Sequence, residues 1–344
     1  MSKPIKHLMI FRLSAMGDVA MTVPNIRKLA HLYPNLKITM VSRPFFKPFF
    51  DDIPNLTFFA FDDKKRHKGF IGNLRLFIDL KKLKPDAFAD WHNVLRSKIV
   101  CQLMAFSGIQ TAQINKARND KKALTRTKNK IFKPLTTVFD RQIEVLEQLG
   151  FQIKNASPIF PNFQPNKAIQ NLIKPNKKHL GIAPFAQYQS KVYPFDLMQK
   201  LIQKLAKNPD YEVFLFGGGQ KEKQLLTTLA ATHPNVYNMA GCFDLATEMA
   251  LISQLDLMLS MDSGNAHIAA MLGKKVLTLW GATHPYAGFL PFNQPIDYAL
   301  VPNRNQYPLL PTSIYGNKKV AGYENVMQTI KVDEIINKIQ QILR

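Results

Sequence analysis

The segment Met261-Asp262-Ser263-Gly264-Asn265-Ala266-His267 holds the strongest constellation of polar groups in the chain, set between two apolar runs. An Asp-Ser-Gly turn from strand to helix aims first-turn N–H groups and a short hydroxyl at one point, where the helix dipole is positive. Such a turn suits an anion, for example a diphosphate. Read without that chemistry, Asp262 is a helix cap and His267 a packing residue. A turn of the same kind lies near the N-terminus, where Arg12-Leu13-Ser14-Ala15-Met16-Gly17-Asp18-Val19 follows the apolar run 8–11. Gly17 permits a sharp bend, and a carboxylate at Asp18 can take a proton from a substrate hydroxyl, unless it serves only as a cap.

Three loops in the second half add candidates. Lys191 follows an apolar run and can meet a phosphate as a point charge, although spacing alone reads it as a solvated surface lysine. Gly217-Gly218-Gly219-Gln220-Lys221-Glu222 is neither GxGxxG nor a Walker loop. Its glycines allow close approach of a ligand, and Glu222 can either bond two ribose hydroxyls or merely open a helix. Gly281-Ala282-Thr283-His284-Pro285 can line the same site or be an ordinary strand exit. HExxH, GxSxG and promising DxD turns are missing, so no metal site is implied.

These residues need strand ends to position them. Apolar runs at 8–11, 38–41, 56–61 and 87–90 read as strands, with helices over 19–32, 70–82, 96–107 and 139–149. The stretch 43–50 is a helix start broken by Pro44 and Pro48. After 157–176, with Pro158, Pro161, Pro165 and Pro175, the alternation resumes. Strands are expected at 180–183, 211–216, 236–239, 255–261 and 276–280. Helices are expected at 196–207 with Asp196 as N-cap, 221–231, 246–253, 267–272 and 332–343. The class is α/β: two doubly wound Rossmann-like series, facing across a cleft, with ligands at the carboxyl ends of the strands.

The 344 residues suit two domains, and the 46% hydrophobic content supports a folded protein. Cys101 and Cys242 have no metal or disulfide spacing, which fits a reducing cytoplasm. Neither a signal peptide nor a membrane-spanning run is visible. The net charge of +22 favours anionic partners. Basic residues cluster at 64–68 and at 116–133, which makes the first half the expected contact for a large anionic partner. Nucleic acid is not expected, because the basic residues are not interleaved with aromatics on a strand face and no recognised module appears.

The order of the 12–18 turn, the Lys191 loop, the Glu222 turn, 262–267 and 281–285 resembles glycosyltransferase family nine, the bacterial heptosyltransferases of lipopolysaccharide core assembly. Val138-Phe139-Asp140-Arg141 also resembles a family motif opening a mid-chain helix. The resemblance runs from about residue 6 to residue 290. It implies the GT-B fold, with an acceptor-binding domain over 1–160, a linker over 161–177 and a nucleotide-sugar domain over 178–330. The helix over 331–344 would pack back on the first domain. By matching position, Asp18 resembles the general base of an inverting transfer and Lys191 the diphosphate lysine. Glu222 resembles the ribose ligand, and Asp262 the donor-sugar contact. Gly217, Gly218, Ser263, Gly264, His267 and Thr283 would complete the donor site. Ser14, Met16, Gly17, Lys64, Arg66 and Arg141 would serve the acceptor. The implied donor is ADP-heptose and the implied acceptor an anionic lipid A-Kdo type molecule, with neither metal nor cofactor required. The enzyme would sit in the cytoplasm, peripheral to the inner membrane by electrostatics. The alternative is another nucleotide sugar with a surface-polysaccharide acceptor. Two departures motivate it: Asn265-Ala266 stands where relatives often carry Pro-Met, and His284 where an Asp is frequent. Family cysteines near the end are also replaced, by the cysteine-free segment 310–320.

Overall fold

Short apolar runs become parallel strands wherever a helix can cover both sheet faces, and this happens twice in the chain. The computed structural model describes residues 4–231 and 233–344. Its contacts divide the chain into one unit of Met1–Ala117 with Thr136–Phe160, and another of Arg118–Leu135 with Pro161–Arg344.

In the first unit, β1 (His7–Phe11) leads through α1 (Met16–Ala20) and α2 (Val23–Leu32) to β2 (Lys37–Ser42) and β3 (Leu56–Ala60). The single helix expected over 19–32 is thus two, with Pro24 accommodated in the first turn of α2, where its missing N–H costs nothing. The Pro44–Phe49 stretch is a 3-10 helix. Next come α3 (Gly69–Lys82), β4 (Ala87–Asp90), α4 (Leu95–Phe106) and β5 (Gln110–Gln113). The all-parallel sheet has the order β3-β2-β1-β4-β5. β5 is an edge strand of sequence Gln-Thr-Ala-Gln, so no apolar run announces it. Met9, Phe11, Leu76, Leu80, Phe88, Val100 and Met104 form a core between sheet and helices.

The chain then leaves this unit. α5 (Arg118–Thr125) and the segment to Leu135 belong to the second unit, before α6 (Val138–Gln148) returns to the first. The first unit is therefore not the continuous stretch 1–160 expected from sequence.

The second unit continues with α7 (Lys167–Gln170), β6 (Lys178–Ala183), α8 (Phe195–Ala206), β7 (Tyr211–Leu215), α9 (Gly219–Ala230) and β8 (Val236–Asn238). α10 (Leu245–Ile252), β9 (Leu257–Met261), α11 (Gly264–Met271), β10 (Lys275–Leu279), β11 (Ala299–Leu300) and α12 (Val332–Leu343) complete it. Its parallel sheet has the order β11-β10-β9-β6-β7-β8. The N-cap of α8 is Pro194 rather than Asp196, which lies in the first turn. α7 adds a turn of helix inside the proline-rich stretch, capped by Asn166. α12 packs in the core of the second unit. Ile335, Ile339 and Ile342 are buried in the second unit's core with Leu201 and Leu205 of α8. Lys204 pairs with Asp333 at 2.6 Å, and Lys275 Nζ donates to the Ile342 carbonyl at 2.6 Å.

Candidate functional site

Strand order locates the chemistry. In each sheet the chain winds one way and then the other, and the reversal leaves a crevice at the carboxyl ends of two adjacent strands. In the second unit this point lies between β6 and β9. Lys191 follows β6, and Asp262 is the first residue after β9. They meet: Lys191 Nζ lies 2.8 Å from Asp262 Oδ2, and both side chains are largely buried. Thr283, after β10, donates its hydroxyl to the same oxygen at 2.9 Å. Lys191 is thus not the solvated lysine its spacing suggests. Asp262 is not the helix cap either, because Ser263 occupies that position and shares a 3.1 Å hydroxyl contact with Ser260. Gly264, Asn265 and Ala266 form the first turn of α11 beside the pair, and His267 is buried one residue further on.

The Lys191 loop is fixed by the 281–285 loop, which sequence reasoning placed at the site, and by the 310–317 stretch, which it left out. Ser190 O accepts from Ala282 N at 2.9 Å, and the Ala282 carbonyl accepts from Thr312 N and Ser313 N at 3.0 and 3.1 Å. Ser190 Oγ donates to Gly316 O at 2.6 Å, while Gly316 N donates to Ser313 Oγ at 2.9 Å. A Cβ on Gly281 would lie 2.1 Å from Ser190 O, so only glycine lets the two loops touch. The cysteine-free 310–317 stretch is therefore a clasp over the Lys191 loop. Its sequence signal was the pair of small residues, Ser313 and Gly316, in a segment without apolar periodicity.

Gly217 and Gly218 end the β7 exit, and Glu222 in the first turn of α9 accepts from Gly218 N at 2.7 Å. That is the helix-opening role, made with Oε2. A Cβ on Gly217 would come 3.2 Å from the same oxygen.

His284 lies deeper. Its Nδ1 accepts from Tyr286 N, and its ring meets Phe132 and Tyr286 edge-on at 5.0 and 4.5 Å. Burial, with Arg304 and Lys130 nearby, lowers the imidazole to about 4. Arg304 stacks on Phe132, 3.4 Å from the ring centroid. Lys130 donates to the carbonyls of Leu124 and Pro311 at 2.9 and 2.8 Å, and burial lowers it to about 8. Lys121 lies 4.6 Å from the Phe289 ring centroid, and Arg126 donates to Asn129 O. The second basic cluster was expected to make the first half attractive to anions. Instead Lys121 and Lys130 bind a strap of chain into the second unit, and Arg126 closes a turn within the strap.

In the first unit the strand order reverses between β1 and β4. Asp18, three residues into the turn of α1 after β1, is half-buried, and its Oδ2 lies 2.5 Å from Arg12 Nη2 and accepts from Ala15 N at 3.2 Å. Arg12 is held in turn by the carbonyls of Ser14 and Trp91, both at 2.8 Å. Ser14, Met16 and Gly17 are half-buried around this turn. Asp90, fully buried at the end of β4, accepts from the N–H groups of His92 and Asn93 and so shapes the facing turn. Burial, with Arg12 and Lys116 nearby, lowers His92 to about 3, so it is neutral beside Asp18 at physiological pH. From sequence, Asp90 is only the end of the 87–90 strand and His92 carries no motif.

Other expected acceptor residues lie elsewhere. Lys64 is exposed. Arg66 grips Asp79 through Nε and Nη2 at 2.5 and 2.7 Å, so it tethers its loop to α3. Arg141 is buried on α6, the helix whose Phe139 carbonyl and Gln142 side chain hold Asn25 of α2. Among the described residues no group of three or more His, Cys, Asp or Glu could hold a metal ion.

Comparison with known proteins gives this geometry a family. Residues 73–311 match the model of glycosyltransferase family 9 (heptosyltransferase). The chain is 24% identical over 345 residues to the lipopolysaccharide core heptosyltransferase OpsX of Haemophilus influenzae, covering 98% of this chain and 97% of that one. Its fold is similar to a family 9 glycosyl transferase from Veillonella parvula, with TM-score 0.74, 17% identity, and 98% and 97% of the two chains covered. It is also similar to E. coli heptosyltransferase WaaC solved with ADP, with TM-score 0.68, 17% identity, and 98% and 99% covered. The likeness is of two Rossmann-like α/β units, the GT-B composition. With the match spanning well over half its length, the chain belongs to glycosyltransferase family 9 and is a glycosyltransferase.

Proposed function

We propose that this enzyme transfers a heptose from ADP-heptose to the Kdo/heptose inner core of lipopolysaccharide, by single displacement with inversion. The observation that carries the reading is the Lys191–Asp262–Thr283 cluster at the β6/β9 switch point, beside the first turn of α11. The names of the relatives support it: one is a lipopolysaccharide core heptosyltransferase, and one was solved with ADP.

In this reading the acceptor hydroxyl gives its proton to Asp18 and attacks the anomeric carbon. Charge then grows on the departing ADP. Lys191 and the amides at Ser263 and Gly264 stabilise it, a role in which one lost donor costs about 10²–10³ in turnover. Asp262 uses Oδ2 for Lys191 and Thr283, and in this reading its Oδ1 meets a hydroxyl of the donor sugar. Glu222 meets the ribose, Gly217 and Gly218 let the nucleotide approach, and His267 backs the diphosphate turn. Ser14, Met16, Gly17 and Lys64 meet the acceptor, while Arg66 at the surface and the buried Arg141 act through the elements they belong to. The reading requires no metal or cofactor. It places the enzyme at the cytoplasmic face of the inner membrane, held by basic residues. No helix among the described residues is long and apolar enough to cross a membrane.

The test is a thermal-shift panel of ADP, UDP, GDP, dTDP, CMP and NAD. At about 100 times its dissociation constant, a ligand adds about 2.7 kcal/mol of stability. The expected result is a shift with ADP alone. A shift with UDP or GDP would replace the donor and favour the other nucleotide-sugar reading. No shift with any nucleotide would sink the transfer mechanism.

A further inference from the structure

The outer face of α3 is built against the usual rule for a helix on a sheet. Its inner positions Leu76 and Leu80 are fully buried in the core, as amphipathic periodicity requires. Its outer positions are also apolar: Phe70 is 80% exposed, Ile71 66%, Leu74 50% and Ile78 42%. At 100° per residue these four span about one third of the helix circumference. Exposed single apolar side chains need no explanation, but four contiguous ones on one face do.

Cations surround this face. Arg75 and Lys82 follow on one side of the same helix, and Lys81 sits at its end, with Nζ 5.7 Å from the Phe77 ring centroid. The 64–68 loop is fastened to the first turn of α3. A Cβ on Gly72 would lie 2.3 Å from the His67 carbonyl carbon, so only glycine lets loop and helix touch. Asp79 receives both Arg66 and His67, and the Arg66 pair holds its carboxyl low, at about 2. Asp62 accepts the N–H groups of Lys64, Lys65 and Arg66, which closes the loop. Lys64, Lys65 and Lys68 therefore project, exposed, from a rigid turn beside Phe70 and Ile71. Asp79 itself is turned to this loop, which leaves no acidic side chain on the outer face of α3.

We propose that the outer face of α3, with the 64–68 loop, is an insertion site for an anionic lipid bilayer. Phe70, Ile71, Leu74 and Ile78 enter the acyl boundary, and Lys64, Lys65, Lys68, Arg75, Lys81 and Lys82 meet the lipid phosphates. An apolar helix face rimmed by cations lies in the membrane interface by this physics, through apolar burial plus attraction to anionic headgroups. A protein partner fits less well, because protein interfaces are depleted of lysine. The inference deepens the reading of a lipid-linked acceptor, but it concerns attachment alone and stands separately from the donor site.

The test is co-sedimentation of the full chain with vesicles of phosphatidylcholine and phosphatidylglycerol, against phosphatidylcholine alone. The doubly substituted Phe70→Gln, Leu74→Gln chain is expected to lose about a hundredfold in partitioning, about tenfold per large apolar side chain, with the salt dependence unchanged. Lys65→Gln with Lys68→Gln should instead flatten the salt dependence. A Phe70→Trp chain should show a blue-shifted emission only with the anionic vesicles, since the native Trp91 and Trp280 are fully buried. All the substituted positions are exposed, so the ADP thermal shift should be unchanged in every variant, which keeps this test independent of the donor reading. Wild-type partitioning by the Phe70→Gln, Leu74→Gln chain would overturn the proposal. So would a dimer in sedimentation that this variant dissociates, which would make the face an interface between copies.

Discussion

At the scale of single residues, two positions govern the groups proposed to react. Asp18 is clamped by Arg12, which itself hangs on two backbone carbonyls, so the carboxylate has a fixed orientation at the β1 exit. Asp18→Asn keeps the shape and the hydrogen bond from Ala15 N but cannot accept a proton. The variant should retain the ADP shift and lose transfer by about 10²–10⁴-fold; full transfer, measured with donor and acceptor, would remove Asp18 from the mechanism. Gly316 acts on Lys191 from a distance. It has φ +85°, and a Cβ there would lie 2.5 and 2.7 Å from Lys191 Cδ and Cγ. Gly316→Ala should push the lysine stem away from Asp262 and weaken ADP binding about tenfold. In a Lys191→Ala background the stem is gone, so the same change should cost only its backbone strain. A coupling of about 1 kcal/mol in the double-mutant cycle is expected, and strict additivity would show that Gly316 serves the loop alone.

Elements set the second tier. The 118–135 strap docks Phe132 against His284 and Tyr286, directly after Thr283, which holds Asp262. His284 has its folded pKa lowered from 6.5 to about 4, chiefly by burial. The unfolded chain therefore binds more protons between those values. The stabilisation is fully present above about pH 6.5 and is lost as pH falls towards 4, by an amount on the order of 3 kcal/mol. His284→Phe keeps the ring contacts, and its urea midpoint should vary less between pH 7 and pH 4.5 than that of the parent. An equal loss in both would put the acid sensitivity elsewhere. His92 is shifted the same way in the other unit, so its contribution survives in the variant. α12 is the other deciding element: Ile339 is 1% exposed in the second unit's core. Ile339→Ala should cost about 2–5 kcal/mol, read as a lower urea midpoint for that unit.

For the whole molecule, the two units carry separate cores and separate switch-point clusters. In the proposed reading the nucleotide binds the Lys191–Asp262 cluster, and a ligand stabilises only the state that holds its site. Calorimetry should accordingly resolve a transition that rises with ADP and another that does not, and Ile339→Ala should lower only the first. A single transition that moves as one in both experiments would mean that the units unfold cooperatively. Charge is also uneven at this scale. The net +22 is read from the sequence, but Lys121 and Lys130 of the 116–133 cluster hold the strap in place. The α3 face with its lysines, in the first unit, is a concentrated cationic surface among the described residues.

What the sequence determined by itself was whatever local rules control. Apolar runs marked nearly all of the strands, and glycine and small polar residues marked the turns at strand ends. Five such turns in order pointed to the family. β5 escaped because an edge strand of polar residues has no apolar signal. The tertiary structure alone decided which distant groups meet. Lys191 reached Asp262, the 118–135 strap joined the second unit, α12 packed on α8, and Gly316 closed over the lysine stem. Periodicity shows that a helix has an apolar face, and composition shows that a loop is basic. Neither names the surface that will cover the face or the partner that will hold the charge, because those are fixed by long-range packing and by the strand order that brings the two chain ends of a switch point together.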